Sequence, residues 1–547
     1  MRRRLVAAVA VAACVALGVL VLSRIGGGSP GRRVAGAPSS TSSAPSPPAS
    51  GGSSSGASVP GLTSDPAGAR GAVPPGPTLQ GGGHVSVCGN AGVLSGPTSP
   101  PAGAVRVDPG QDLQAATQAA PAGTTFWLAP GSHTLGNDQF SQVIPKDGNA
   151  YVGAPGATLD GRRVNRYAFT QHARAVVVRY LTITRFGTAG ANSNEGVVNH
   201  DSGPGWTIEF NTITANAGAG VMMGDDDTVR SNCLSGNGQY GFSVFSPPGV
   251  HNVTVAGNEV AGNNTDDWES RVAGCGCTGG GKFWDTTGAV VSDNWVHDNH
   301  GVGIFADTDN IGFRIEDNTI DGNDAEGIVY EISYNARIAH NALTHNALVK
   351  GRQFASRGDN FPIGAVYLSE SGGDPRLNGG TYATLEVTAN SLVDNWGGVV
   401  LWENADRFCG SAANTSTAFC TEGGAANLSA CTAANIGRPP YTSDCRWKTQ
   451  NVFVHDNSFK LDRAAIGCST DAPCGQQAIL SNFGTFPSWS PYKARTVQDA
   501  IVYRQNNRFS DNTYQGDWRF TAYEPGNTKS LTAWQTTYHQ DANSRTG

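Results

Sequence analysis

Between Gly301 and Asn346 the chain states one pattern twice. The stretch reads GVGIFADTDNIGFRIEDNTIDGNDAEGIVYEISYNARIAHNALTHN. Each copy has a glycine, a short apolar run, an acid, a second apolar run and then Asn-x-apolar-x-x-Asn. Gly303 matches Gly327 and Asp307 matches Glu331, each 24 residues on (327 − 303 = 24). Asn318 matches Asn341 and Asn323 matches Asn346, each 23 residues on (341 − 318 = 23). A fixed period in the twenties built from short β-type runs specifies a solenoid, in which each coil stacks on the one before. Residues one period apart become vertical neighbours, so Asp307 and Glu331 are expected one strand spacing apart, about 4.8 Å.

The same pattern runs along most of the chain. Anchor asparagines are read at Asn211, Asn232, Asn258, Asn294, Asn318, Asn341, Asn390, Asn457 and Asn507. The long later gaps call for inserts, placed at 350–362 and in the cysteine-rich 407–447. Long loops on one side of a solenoid frame a binding face. The asparagines read as structural, because an Asn side chain satisfies both amide and carbonyl at a buried turn and tolerates tight turn geometry. Stacked Val, Ile and Leu fill the interior. A chain of 547 residues would ordinarily divide into several domains, but a solenoid core grows coil by coil. The 72 glycines and the low charged fraction, 15%, suit many tight turns around narrow strands. A net charge of −7 without a basic stripe excludes nucleic acid as partner.

Three arginines and an 18-residue apolar run, Leu5 to Leu22 (22 − 5 + 1 = 18), open the chain. This is an export signal, and at about 27 Å as a helix it could just span a membrane. Residues 1–25 are therefore a signal peptide or a signal anchor. The product is expected to be secreted or held at the outer face of the cytoplasmic membrane, touching membrane only through that segment if uncleaved. Residues 26–103, rich in Gly, Ser, Pro and Ala, bury no core and read as a linker. Its last part, from His84 with Cys88, could already touch the folded domain. Ten cysteines follow Cys14, and in an exported chain the expectation is disulfides. Cys468 and Cys474 could close a short loop, while Cys409, Cys420, Cys431 and Cys445 could staple the cysteine-rich insert. No Cys-x-x-Cys pair begins a zinc site.

Order is expected from Val105. A helix over 111–119 and a strand from Thr125 supply a lid for the first open coil. DPGQDLQAATQAAPAGTTFWLAPGSH (108–133) resembles the N-terminal cap of secreted right-handed parallel β-helix proteins of the pectate lyase superfamily. GAPGATLDG (153–161) resembles one of their first coils, and the asparagine repeat resembles their coil consensus. The resemblance covers residues 104–547. It implies an all-β fold, a right-handed parallel β-helix solenoid with an N-terminal capping helix, whose substrate groove runs along one sheet and the turn after it. The Gly-His-Gly and Arg-Ile-Lys signatures of polygalacturonases and the Asp-Pro-His of alginate epimerases are missing, so the resemblance names no substrate.

Aligning the coils on the glycine that opens one strand brings acids to one edge. Asp201, Asp225, Lys282, Asp285, Asp307, Asp309, Glu331, Glu370 and Glu403 fall there. Lys282, Asp307 and Glu331 recur at about one coil and are expected to rise as a column. They are the catalytic candidates. Asp225, Asp309, Glu370, Glu403, Trp284 and Tyr330 are the substrate-binding candidates. Stacked like charges raise at least one pKa, and folding does not ask for that. Two chemistries fit. A carboxylate pair could cleave a glycosidic bond, with no cofactor and an extracellular or cell-wall polysaccharide as partner. Alternatively, carboxylates could hold Ca²⁺ while Lys282 abstracts a proton beside a uronate carboxylate, as in a lyase or epimerase. A third class, a non-catalytic surface adhesin, would carry the acids splayed on a flat face. The acidic excess favours the hydrolase over a polyanion substrate. The histidines at 251, 297, 300, 340, 345 and 455 sit at Asn-turn positions and read as structural. A monomer is expected.

Overall fold

The computed structural model describes residues 86–170, 172–187, 203–246, 248–271, 278–375, 377, 382–403, 448–481 and 495–547. Asp201, Cys275, Cys277, the four cysteines between 409 and 445, and the N-terminal export and linker expectations up to residue 85 lie outside them.

The chain winds as a parallel β-helix. Two sheets of 13 strands run along it, and from Ala219 a third sheet, of 10 strands, joins them, so that a full coil gives one strand to each. In the coil holding the second repeat these are Arg314–Glu316, Thr319–Asp321 and Ile328–Glu331. Every ladder is parallel except the last pairing of the 10-stranded sheet. Strands of three to six residues are short because a corner interrupts them. Inward positions stack like with like, as in Val229, Val255, Val291, Ile315 and Ile338, all at most 1% exposed. No polar backbone group has to be left unpaired in that core, since each coil bonds the next.

The corners explain the asparagines. Asn318 Nδ2 donates to Val291 O at 2.9 Å and to Asn341 Oδ1 at 3.0 Å, and its own Oδ1 accepts from Asn294 N and Nδ2. Repeated, this gives a ladder from Asn211 to Asn512. A second ladder runs from Asn216 to Asn395 at the next corner. The residue before each asparagine takes the left-handed conformation, with φ of 59° at Asp317, 57° at His340 and 55° at His345. One expectation is corrected here. Asn507 is not on the ladder; it sits at the entry corner, accepting from Val452 N, and Asn512 takes the ninth place. The sequence NNRFSDN holds both, and the αL residue before the anchor is Asp511.

Both ends are closed. The helix Leu113–Ala119, capped by Asp112 accepting from Ala115 N, lays Leu113 and Thr117 over the first coil. At the far end the helices Arg495–Tyr503 and Leu531–Tyr538 cover the last coils. Here Asp541 gathers donors from Asn512, Tyr514, Trp534 and Ser544. The segment from Ser86 does touch the domain. Val87 N and Cys88 N donate to the buried Glu259 carboxylate at 2.7 and 2.8 Å, and Cys88 is bonded to Cys233. The Cys468–Cys474 disulfide forms as well. The first expected insert carries the helix Leu348–Ser356.

Candidate active site

The 10-stranded sheet carries the candidate residues. Along its strands Gly279–Trp284, Val302–Asp307, Ile328–Glu331, Val366–Ser369 and Val399–Trp402, side chains alternate between core and outer face. Phe283, Ile304, Ala306, Ile328, Tyr330, Leu368 and Leu401 point inward and are fully buried. The outer face carries two columns. Trp284, Asp307, Glu331, Ser369 and Trp402 are successive register partners. Lys282, Phe305, Val329, Tyr367 and Val400 form the column beside them.

Asp307 and Glu331 are therefore adjacent rungs of one ladder. Lys282 is not in their column, because the strand after Gly280 is offset by two residues, a whole side-chain repeat. It lies diagonally below instead. Its Nζ sits 2.9 Å from Asp307 Oδ2, with the two side chains 8% and 10% exposed. The ammonium also lies over the Phe305 ring, 4.5 Å from its centroid, and 5.6 Å from that of Trp284. Asp307 Oδ1 accepts from Thr308 Oγ1 at 2.9 Å. Glu331 is partly exposed beside this pair.

Of the four turns between Trp284 and Gly372, one is irregular. From Trp284 to Thr287, Glu331 to Tyr334 and Ser369 to Gly372 the chain takes three steps; from Asp307 to Ile311 it takes four, although the same rungs are paired at both ends. Asp285, Ile332 and Glu370 are the single left-handed residues of their turns, whereas Thr308 and Asp309 are both left-handed. The extra residue in that turn leaves Asp309 half-buried next to Asp285. Burial first, then the Asp285 charge, push the Asp309 carboxyl up to about 6. Burial also raises Asp285, and His251 opposes that rise.

Three of the sequence-derived candidates, Tyr330, Glu370 and Glu403, are corrected. Tyr330 faces the core, its hydroxyl donating to Asn310 O and Tyr334 O, so it cannot meet a ligand on the outer face. Glu370 is fully buried in its turn and accepts from Ser369 Oγ. Glu403 is 2% exposed and accepts from Thr449 N at 2.9 Å and Gln505 Nε2 at 2.5 Å, tying a following coil to the sheet. Asp225 keeps an exposed place, on a turn three coils before Asp307, held by His251 N at 2.7 Å. An acid at the end of a strand was too coarse a signal: these residues fall one or two positions past the outer face. Trp284 is on that face, its ring 5.7 Å from Phe245. Sequence reasoning missed the other wall. Tyr367, Trp402 and Phe361 cluster at centroid separations of 5.9–6.4 Å above Glu331. Trp402 was legible as Glu403's neighbour of opposite parity. The walls are four strand spacings apart, about 19 Å.

The acids are not splayed on an open face. Lys282, Phe305, Asp307, Ser369 and Trp402 all point outward and are all buried, so the site is a recess. Among the described residues no group of three or more His, Cys, Asp or Glu side chains is placed to hold a metal ion. No helix among them is long and apolar enough to cross a membrane.

A protein-family profile described as a right handed beta helix region matches residues 195–381. No curated protein matches the chain. Solved structures do. The A-module of mannuronan C-5 epimerase AlgE4 from Azotobacter vinelandii is 15% identical, with a TM-score of 0.43 over 65% of this chain and 93% of its own. The catalytic unit of a thermostable GH87 α-1,3-glucanase from Streptomyces thermodiastaticus is 14% identical, with a TM-score of 0.46 over 80% of this chain and 71% of its own. The fold assignment rests on the three parallel sheets and the family match, and neither protein's activity is carried over.

Proposed function

We propose that this right-handed parallel β-helix protein is an exported glycoside hydrolase that cleaves a polysaccharide in the recess around Lys282, Asp307 and Glu331. The observation that carries the reading is the buried Lys282–Asp307 ion pair on the outer face of a sheet, with Glu331 on the next rung and aromatic rings on both sides. The Lys282 ammonium stands 2.9 Å from Asp307, beside the carboxylate that would serve as base or nucleophile. Glu331 brings a second carboxyl on the adjacent rung, with the exposure a substrate needs. Trp284 and Tyr367 offer ring faces to pyranose units, the ring stacking that suits sugars.

The same pair argues against Lys282 as the base of a Ca²⁺-dependent lyase. A lysine that abstracts a proton must first be neutral, and a carboxylate in contact holds it charged. The recess also argues against a flat adhesin face. Incubation with a panel of neutral and uronic-acid polysaccharides, with and without chelator, tests the reading. New reducing ends without unsaturated products, insensitive to chelator, are expected. Products carrying a new double bond would mean a lyase instead.

A further inference from the structure

Asp307 is engaged by Lys282, and a second carboxyl must bring the proton. We propose that Asp309, not Glu331, is the proton donor to the departing glycosidic oxygen. This rests on the glycosidase reading and deepens it. In the step itself the carbon–oxygen bond of the linkage breaks and its electron pair stays on the leaving oxygen. That oxygen takes the Asp309 proton. The water that replaces it bonds to the same carbon and leaves its own proton on the Asp307 side.

Three structural observations converge on Asp309. First, it belongs to the only one of the four turns from Trp284 to Gly372, Asp307's own, that takes an extra residue between paired rungs. Second, the turn holds two consecutive non-glycine residues at positive φ, 55° at Thr308 and 58° at Asp309, where its neighbours hold one. Such strain persists only where the surrounding structure over-determines it, and it clusters at functional sites. Third, the Asp309 carboxyl has no hydrogen bond or ion pair among the described residues, its backbone N–H alone donating, to Ile332 O, whereas the carboxyls of the neighbouring acids Asp307, Glu370 and Glu403 are all engaged. A carboxyl with no cation to hold it ionised is the one free to carry a proton. Its charged surroundings agree. Asp285 faces it from the preceding coil, with His251 and Asp225 beyond; Asp307 lies on its own strand, Glu331 on the next, and the Tyr330 phenol on the core side. Among the described residues no cation, Lys282 included, forms an ion pair with Asp309, and the Asp285 anion favours its protonated form. An acid pushed up to about 6 keeps its proton to higher pH than an ordinary carboxyl, as general acid catalysis asks.

The test is the pH dependence of kcat/KM on a polysaccharide that the parent cleaves. The parent should lose activity as pH rises past about 6. Asp309→Asn should lower kcat/KM by a hundredfold or more and abolish that limb. It should keep most activity on an aryl glycoside whose leaving group needs no proton. Asp285→Asn removes the like charge, so the limb should move to lower pH while the optimum rate stays near the parent's. If Asp309→Asn keeps both the rate and the limb, while Asp307→Asn and Glu331→Gln are inactive, Asp309 is not the donor and the groove reading stands without it. If Asp309→Asn fails to fold, the Asp285→Asn limb decides alone: an unmoved limb overturns the proposal. If the parent cleaves nothing in the panel, the groove reading and this proposal fall together.

Discussion

Lys282 Nζ meets Asp307 Oδ2 at 2.9 Å although the two residues are not register partners. Lys282 pairs with Phe305 and leans two positions along the strand to reach the acid. Removing one partner of a buried ion pair leaves an uncompensated charge in low dielectric, at about 3–5 kcal/mol. Lys282→Met is therefore expected to destabilise the fold by about 3 kcal/mol in denaturant titrations at neutral pH. Combined with Asp307→Asn, the loss should be clearly less than the sum of the two single variants, since the double variant leaves no orphan charge. Additive losses would mean that the pair does not interact.

Asp309 makes a prediction about stability that is opposite in sign to the usual one for a paired carboxylate. Its folded-state pKa is raised, so the native state binds the proton more tightly than the unfolded chain does. Stability from this group is fully present below the ordinary carboxylate range and is lost as pH rises to about 6. Asp309→Asn should therefore melt higher than the parent at pH 7 to 8. The gain should shrink toward nothing below pH about 4. Thermal melts across that range check the sign, and a variant less stable at pH 8 would contradict it.

The ladder corners should be costly to break. Asn318→Ala strands the donors and acceptors that its side chain satisfies on three coils. Each buried group left unpaired costs about 1–3 kcal/mol. A loss of several kcal/mol is expected from urea unfolding, with no change in a well-folded variant's substrate preference. An Asn507→Ala change, at a different corner, should leave the Asn ladder's bonds intact.

The Cys88–Cys233 bond closes a loop of 145 residues. Cys88→Ser should cost about 2–4 kcal/mol, chiefly by freeing the unfolded chain. It should leave activity intact, because the strap from Ser86 packs on Glu259, away from the site sheet. A loss of activity at unchanged stability would tie the strap to the recess.

How far the residues alone reach depends on which periodicity a feature obeys. The coil period is carried by glycine, asparagine and apolar residues that every rung needs, so Asp307 and Glu331 were legible as neighbours. Side-chain direction follows a period of two, and one extra residue reverses it. Counting from the opening glycine separates Glu331, four residues on and on the outer face, from Glu403 and Glu370, five and six on and one position past it, but grouping the acids by sheet edge alone ignored that difference. Tyr330 was misread for the same reason. Lys282 was taken as a column member at 25 residues (307 − 282 = 25), when the register places Trp284 there. The inserted turn residue, by contrast, was written in the sequence. The offset is 24 at Asp307 and 23 at Asn318, and the residue that absorbs the difference is in the turn between Asp307 and Ile311.

The central claim is that the acids of this recess perform the reaction, and near-isosteric neutralisation tests it most directly. Asp307→Asn should lower hydrolysis of a substrate that the parent cleaves by a hundredfold or more, and Glu331→Gln, which leaves the proton donor in place, by less, while circular dichroism and melting profiles stay those of a folded β-helix. Full activity in both folded variants would contradict the account and put the chemistry elsewhere on the solenoid.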